Sequence, residues 1–133
     1  MNDPPGPRLD VLIIEDSDTL AHAIEKILTR EGYTCARARD GAQGLAALSK
    51  PSLPRLVTLD VMMPLVSGLD VLIEIRRRER TRHLPVLMLT GVAGEKEVLR
   101  AIADGATGYL VKPFEPEELV TRVQRLLPAK SER

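Results

Sequence analysis

Five side chains combine the chemical types needed to hold a phosphoryl group: the carboxylates of Glu15, Asp16 and Asp60, the hydroxyl of Thr90 and the ammonium of Lys112. Each stands at or just past the end of a short apolar run: LDVLII (9–14), LVTL (56–59), PVLML (85–89) and TGYLV (107–111). Taken singly, each has an ordinary explanation. Asp60 and Thr90 suit turns, Glu15 and Asp16 suit the cap of a following helix, and Lys112 suits solvent. Their coincidence at four run ends argues for one shared site. Three carboxylates about 4 Å apart repel by roughly 4 kcal/mol per pair at an effective dielectric near 20, so the cluster calls for cations. Lys112 supplies one. A second is best supplied by a hard divalent ion, and an all-oxygen set points to Mg²⁺ or Mn²⁺ rather than zinc. A carboxylate nucleophile beside such a site, with a lysine and a hydroxyl for the phosphoryl oxygens, suits in-line phosphoryl transfer onto aspartate.

The elements that must position these groups follow from periodicity. Strands are predicted at 9–14, 33–38, 56–59, 85–89 and 107–111, and helices from Ser17-Asp18 to Glu31-Gly32 and at 42–48, 68–80, 95–103 and 116–127. Leu20, Ile24, Ile27 and Leu28 mark the buried face of the first helix, and Leu69, Leu72, Ile73 and Ile75 that of the third. Val98, Leu99 and Ile102 do the same for the fourth, which Asp104-Gly105 stops. Strands alternating with helices require parallel pairing with right-handed crossovers, which gathers every strand's carboxyl end on one rim. Open α/β sheets bind their ligands there.

Composition narrows the function classes. The 133 residues fit one domain, with residues 1–8 (Pro/Gly-rich) and 128–133 expected as a flexible leader and a tail or cut linker around a unit at 9–127. Lys plus Arg and Asp plus Glu both number 19, and the only aromatics are Tyr33, Tyr109 and Phe114, so neither a basic field nor a stacking platform for nucleic acid is present. The basic run Arg76-Arg77-Arg78-Glu79-Arg80-Thr81-Arg82 is read as helix-terminal charge favoured by the dipole. No apolar run approaches the ~20 residues of a membrane span, and the single cysteine, Cys35, reads as a small core residue compatible with a reducing cytoplasm. A cytoplasmic protein without membrane contact is expected. His22 and His83 lack partners at ligand spacing and read as surface residues.

With these residues in hand, the chain resembles the receiver (CheY-like) domain of two-component response regulators over about 9–127. The resemblance rests on Glu15-Asp16, on Asp60-x-x-Met63-Pro64-x-x-x-Gly68, on Thr90 and on Lys112-Pro113-Phe114. It implies a doubly wound, flavodoxin-like (βα)5 fold with a five-stranded parallel sheet in the order 2-1-3-4-5. It implies that Asp60 is a phosphoacceptor served by a histidine kinase or histidine phosphotransfer protein. Glu15, Asp16, Asp60 and the Met62 carbonyl would hold Mg²⁺, and Thr90, the Gly91 amide and Lys112 would hold the phosphoryl oxygens. Thr90 and Tyr109 would act as the switch, altering the surface of the fourth helix, fifth strand and fifth helix for an output partner or a second copy. The Lys112-Pro113 bond would be cis. Met62 and Val92 hold the positions that tune dephosphorylation, and both being apolar implies a slow loss of phosphate. Gly91 stands where alanine is commoner, implying a looser loop. No multiple-turnover enzyme is implied.

Other classes fit less well. Asp16-Ser17-Asp18-Thr19 superficially matches a haloacid-dehalogenase-like phosphohydrolase, but that family's threonine or valine comes one residue later. A flavodoxin-like binding module would want a glycine- or hydroxyl-rich cradle after the first strand. A receiver used only as an unphosphorylated interaction module would not need Glu15, Asp16, Asp60, Thr90 and Lys112 together.

Overall fold

The computed structural model describes residues 8–91, 103 and 105–127. Five strands form one parallel sheet: β1 (Val11–Ile14), β2 (Cys35–Ala38), β3 (Leu56–Asp60), β4 (Val86–Thr90) and β5 (Gly108–Val111), in the order β2-β1-β3-β4-β5. Among the described residues, four helices flank it: α1 (Asp18–Arg30), α2 (Gly41–Ala47), α3 (Gly68–Arg77) and α4 (Pro116–Leu126). This is the expected doubly wound α/β sheet. The helix expected at 95–103 falls outside the described residues except for Ala103, as does Val92.

The sheet's central strands are buried on both faces, which is why they read as unbroken apolar runs rather than alternating ones. One core layer joins Leu12, Ile14, Leu59 and Met88 to Val71, Leu72 and Ile75 of α3. The opposite layer joins Val11, Ile13 and Leu89 to Ile24 and Leu28 of α1 and Leu119 and Val123 of α4. The face of α3 is Gly68, Val71, Leu72 and Ile75, so Val71 takes the buried place expected of Ile73, which is half-buried. Spacings of three, one and three keep those residues on one stripe. His22 and His83 are exposed, and Cys35 is half-buried at the edge of the second layer.

Element ends differ from expectation where side chains take over backbone bonding. β1 and β2 each begin two residues late because the Asp10 carboxylate accepts the Thr34 amide at 2.8 Å. β3 and β4 each run one residue further, so Asp60 and Thr90 are themselves strand residues.

α3 stops at Arg77 rather than at 80, and the basic run explains it. Arg78 turns extended, and the Thr81 hydroxyl donates to the Ile75 carbonyl at 2.6 Å. Arg78 donates to the Leu45 carbonyl and Ser49 hydroxyl, and Arg80 to the carbonyls of Leu48, Lys50 and Pro51. Leu45 and Leu48 stand at the end of α2, where helix carbonyls lack the next turn's amides, and the other acceptors lie just beyond it. Two arginines just past α3 therefore cap a neighbouring helix. Arg76 turns the other way, donating to the carbonyls of Gly105 (2.8 Å), Leu84 (2.8 Å) and Thr81 (3.3 Å) and to the Thr107 hydroxyl. Burial holds its guanidinium below the usual arginine range.

Arg76→Ala leaves several half-buried carbonyls without donors and should lower stability by about 1–3 kcal/mol. Arg77→Ala, with a side chain 74% exposed and only an i,i+3 partner in Glu74, should change it by less than about 0.5 kcal/mol. Urea unfolding of the two variants checks the contrast, and equal losses would contradict it.

Candidate functional site

The parallel topology brings the five sequence-selected side chains to the carboxyl rim. Asp60 is the last residue of β3, flanked on one side by the β1 end with Glu15 and Asp16 and on the other by Thr90, the last residue of β4, and Lys112, just past β5. Carboxylate oxygens of Glu15, Asp16 and Asp60 lie within 4.8 Å of one another, the first and last buried and Asp16 exposed.

The two buried carboxylates are oriented by neighbours. Asp60 Oδ2 accepts from Lys112 Nζ at 3.0 Å, and Oδ1 accepts the Met62 amide at 3.1 Å. Glu15 Oε2 accepts the Ser17 amide at 3.1 Å, while Oε1 is buried and has no hydrogen-bond partner. Burial is the main reason the Glu15 carboxyl is pushed from its ordinary 4.5 up to about 7. The Ser17 amide opposes the shift, Asp60 adds to it through charge and a hydrogen bond, and Lys112 opposes it. With both carboxylates ionised, Glu15 faces a like charge in Asp60, and its Oε1 has no donor among the described residues. Protonating Glu15 turns the same contact into a hydrogen bond to Asp60.

An orphaned buried oxygen in a three-carboxylate, all-oxygen set is the donor chemistry of a hard divalent cation. The residues present fit such an ion.

The β3–α3 loop shapes the approach to Asp60. Gly68 donates its amide to the Val61 carbonyl at 2.9 Å, and a Cβ there would lie 2.1 Å from the Asp60 carbonyl oxygen. Only glycine lets α3 start so close to the strand that carries Asp60. Met63 is buried, while Met62 and Leu65 are 65% and 99% exposed, and Leu65 holds a left-handed φ of 71°. An exposed leucine in that region is strained backbone beside the site.

On the other flank, Thr90 is buried and its carbonyl accepts the Lys112 amide at 2.7 Å. Gly91 is exposed; a Cβ there would find Lys112 Cε at 3.8 Å, an ordinary contact, so the space admits alanine. The Lys112-Pro113 peptide is cis. Tyr109 is half-buried against the core layer beneath α3, and its carbonyl accepts from the Arg122 guanidinium.

Sequence reasoning missed one participant. Arg37 of β2 donates Nε and Nη2 to the Glu15 carbonyl at 3.0 and 2.8 Å and Nη1 to Asp18 at 2.7 Å. It lies 22 residues from Glu15 in sequence, within a run that signals only a short strand.

This sheet order and rim chemistry are those of a receiver-type α/β fold. Residues 11–124 match the family model described as "Response regulator receiver domain". The chain belongs to that family. It is 39% identical over 117 residues to the DNA-binding dual master transcriptional regulator RpaA of Synechocystis sp., covering 88% of this chain and 48% of that protein. It is 36% identical over 119 residues to the chemotaxis protein CheY of Pseudomonas aeruginosa, covering 89% of this chain and 95% of that one. The chain thus spans about half the length of several curated relatives, among them the RpaA protein and the TcrX regulator of Mycobacterium tuberculosis. Among solved structures it resembles Vibrio cholerae chemotaxis protein CheY4, with a TM-score of 0.84, 33% identity and coverage of 91% and 100%. It also resembles the receiver domain of a Pseudomonas aeruginosa sensor histidine kinase, solved with a magnesium ion coordinated in its active site cleft. That pair has a TM-score of 0.82, 28% identity and coverage of 90% and 98%.

The raised Glu15 carboxyl sets a pH dependence. Between about pH 4.5 and 7 the folded protein keeps a proton on Glu15 that the unfolded chain releases, so this contribution is full below that window and fades as pH rises through it. In chelator-treated protein, Glu15→Gln, which mimics the protonated form, should match the wild type near about pH 5 and exceed it in stability near about pH 8. Denaturant midpoints at the two pH values check this, and parallel pH profiles would contradict it.

Proposed function

We propose that Asp60 is the phosphoacceptor of a two-component or phosphorelay pathway, taking its phosphoryl group from a phosphohistidine on a kinase or phosphotransfer protein. The observation that carries this reading is Asp60 at the strand end, paired with Lys112 at 3.0 Å and within 4.8 Å of the Glu15 and Asp16 oxygens. One Asp60 oxygen attacks phosphorus as the bond from phosphorus to the donor's imidazole nitrogen breaks, and the imidazole leaves with that electron pair. Glu15, Asp16, Asp60 and the Met62 carbonyl would hold Mg²⁺, with Mn²⁺ as a substitute. When bound, the ion neutralises phosphoryl oxygens that gain charge in the transition state.

The remaining roles belong to the chain's own groups. The Lys112 ammonium follows the phosphoryl oxygens from the side opposite Glu15, and the Thr90 hydroxyl and Gly91 amide donate to them. The added charge and acceptor oxygens draw Thr90 toward the phosphoryl group. Tyr109, half-buried on the neighbouring strand, turns further inward. An output partner or second copy reads the face of β5 and α4, with Glu117, Arg122 and Arg125, together with the segment expected as the fourth helix (Glu95, Lys96, Arg100). Residues 9–127 act as the unit, in the cytoplasm. No helix among the described residues is long and apolar enough to cross a membrane.

Intact mass after incubation with Mg²⁺ and acetyl phosphate tests the assignment. One phosphoryl group should add to the wild type and none to Asp60→Ala. No gain in the wild type would leave only the unphosphorylated-module reading, and multiple-turnover release of phosphate from a generic ester would favour a hydrolase.

The rate of loss tests the surroundings of Asp60. Met62 is 65% exposed beside it and offers water no polar anchor, and Val92, outside the described residues, is apolar too. Met62→Gln supplies an amide that can hold water near the phosphoryl group, so the phosphoprotein's half-life should shorten several-fold, about a 1 kcal/mol change in barrier. An unchanged half-life by mass spectrometry would remove Met62 from this role.

A further inference from the structure

The geometry points to Arg37 as a positioning residue that fixes the β1–α1 loop, and so the acidic half of the site. This rests on the proposal above that Glu15 and Asp16 are cation ligands.

The Glu15 carbonyl belongs to the peptide that joins Glu15 to Asp16, so its orientation sets the direction in which both side chains leave the backbone. That carbonyl accepts two hydrogen bonds from one guanidinium, Arg37 Nε at 3.0 Å and Nη2 at 2.8 Å. The same residue's amide nitrogen donates to the Ala38 carbonyl at 3.1 Å, so both backbone polar groups of Glu15 are tied to β2. The third guanidinium nitrogen, Nη1, reaches Asp18 Oδ1 at 2.7 Å in the first turn of α1. Ser17, between them, caps that helix through its hydroxyl and gives its amide to the Glu15 carboxylate. One side chain therefore braces the loop at both ends.

The two ends differ in weight. The Asp18 carboxylate is 70% exposed, and an exposed ion pair contributes little by itself. Arg37 is only 20% exposed at its side chain, and its fork on the carbonyl is charge-assisted and planar. Lysine can reach one acceptor but cannot reproduce the fork. Asp16 is exposed, and the backbone from which its carboxylate is presented is what Arg37 holds. The hydrogen bonds of the Arg37 guanidinium go to the Glu15 carbonyl and to Asp18, so it acts through Glu15 and Asp16.

The test separates positioning from mere stability. Mg²⁺ affinity is measured by amide NMR titration of the wild type, Arg37→Ala, Arg37→Lys and Asp18→Asn, at a temperature well below each unfolding midpoint. Arg37→Ala should raise the Mg²⁺ Kd about tenfold, the usual scale for removing a partner behind a metal ligand. Arg37→Lys should fall between it and the wild type, and Asp18→Asn should stay within about twofold. Phosphorylation by acetyl phosphate should slow in Arg37→Ala at limiting Mg²⁺ and recover at saturating Mg²⁺. Wild-type Mg²⁺ affinity in folded Arg37→Ala overturns the proposal. If that variant does not fold, Arg37→Lys decides alone: weakened affinity with an unchanged unfolding midpoint supports the role, and unchanged affinity overturns it. A wild type that binds no Mg²⁺ would fail the phosphoacceptor reading itself, and the role of Arg37 with it.

Discussion

Three carboxylates crowd the end of a sheet whose central strands are otherwise packed with aliphatic side chains, and the neighbouring elements meet the electrostatic cost in turn. Lys112 reaches Asp60 from beyond β5, the start of the β3–α3 loop turns the Met62 amide back onto it, and the Ser17 amide takes one oxygen of Glu15. These donors do not fully satisfy the cluster. Glu15 Oε1 stays buried without a partner, and its carboxyl is held near neutrality by burial, with Asp60 adding to the shift. A fold selected for stability alone would remove one of the acids, because a buried like-charge pair is costly. Keeping them makes the site a receptor for positive charge.

The β3–α3 loop shows how closely backbone and chemistry are fitted. Asp60 can sit at the sheet edge with its carbonyl against the first residue of α3 only because that residue is Gly68. Pro64 leaves the strand direction, Met63 turns inward to the core, and Leu65 crosses into the left-handed region that glycine occupies more easily. The apolar side chains of Met62 and Leu65 are left in solvent in the loop that follows Asp60. Strain and exposed apolar surface at one place are tolerated where the position serves a site.

The β/α alternation and the buried runs were legible in the sequence because both are local patterns: period, strand length and flanking glycine or proline. So was the gathering of Glu15, Asp16, Asp60, Thr90 and Lys112, since parallel topology converts five positions in the chain into one rim. What could not be read were contacts that sequence spacing does not encode. Arg37 meets Glu15 across a strand pair, and Arg78 and Arg80 meet α2 carbonyls about thirty residues away. By composition, 76–82 is a solvated basic run, yet three of its arginines are fastened to backbone carbonyls. Val71 displaced Ile73 from the core for a related reason: side-chain size is visible in sequence, but the angle at which α3 meets the sheet is not.

Comparison of two buried aspartates shows why burial alone does not identify a site. Asp10, before β1, and Asp60, ending β3, are equally hidden from water, and each sits beside a cation. Asp10 at the amino rim accepts the Thr34 amide and hydroxyl and pairs with Arg55. Its charge is compensated within the fold, and it secures the start of the sheet. Asp60 at the carboxyl rim shares its surroundings with two further carboxylates, one of which has an oxygen no donor reaches. The crowding of carboxylates at one rim, set against the paired aspartate at the other, is the physical difference between the two.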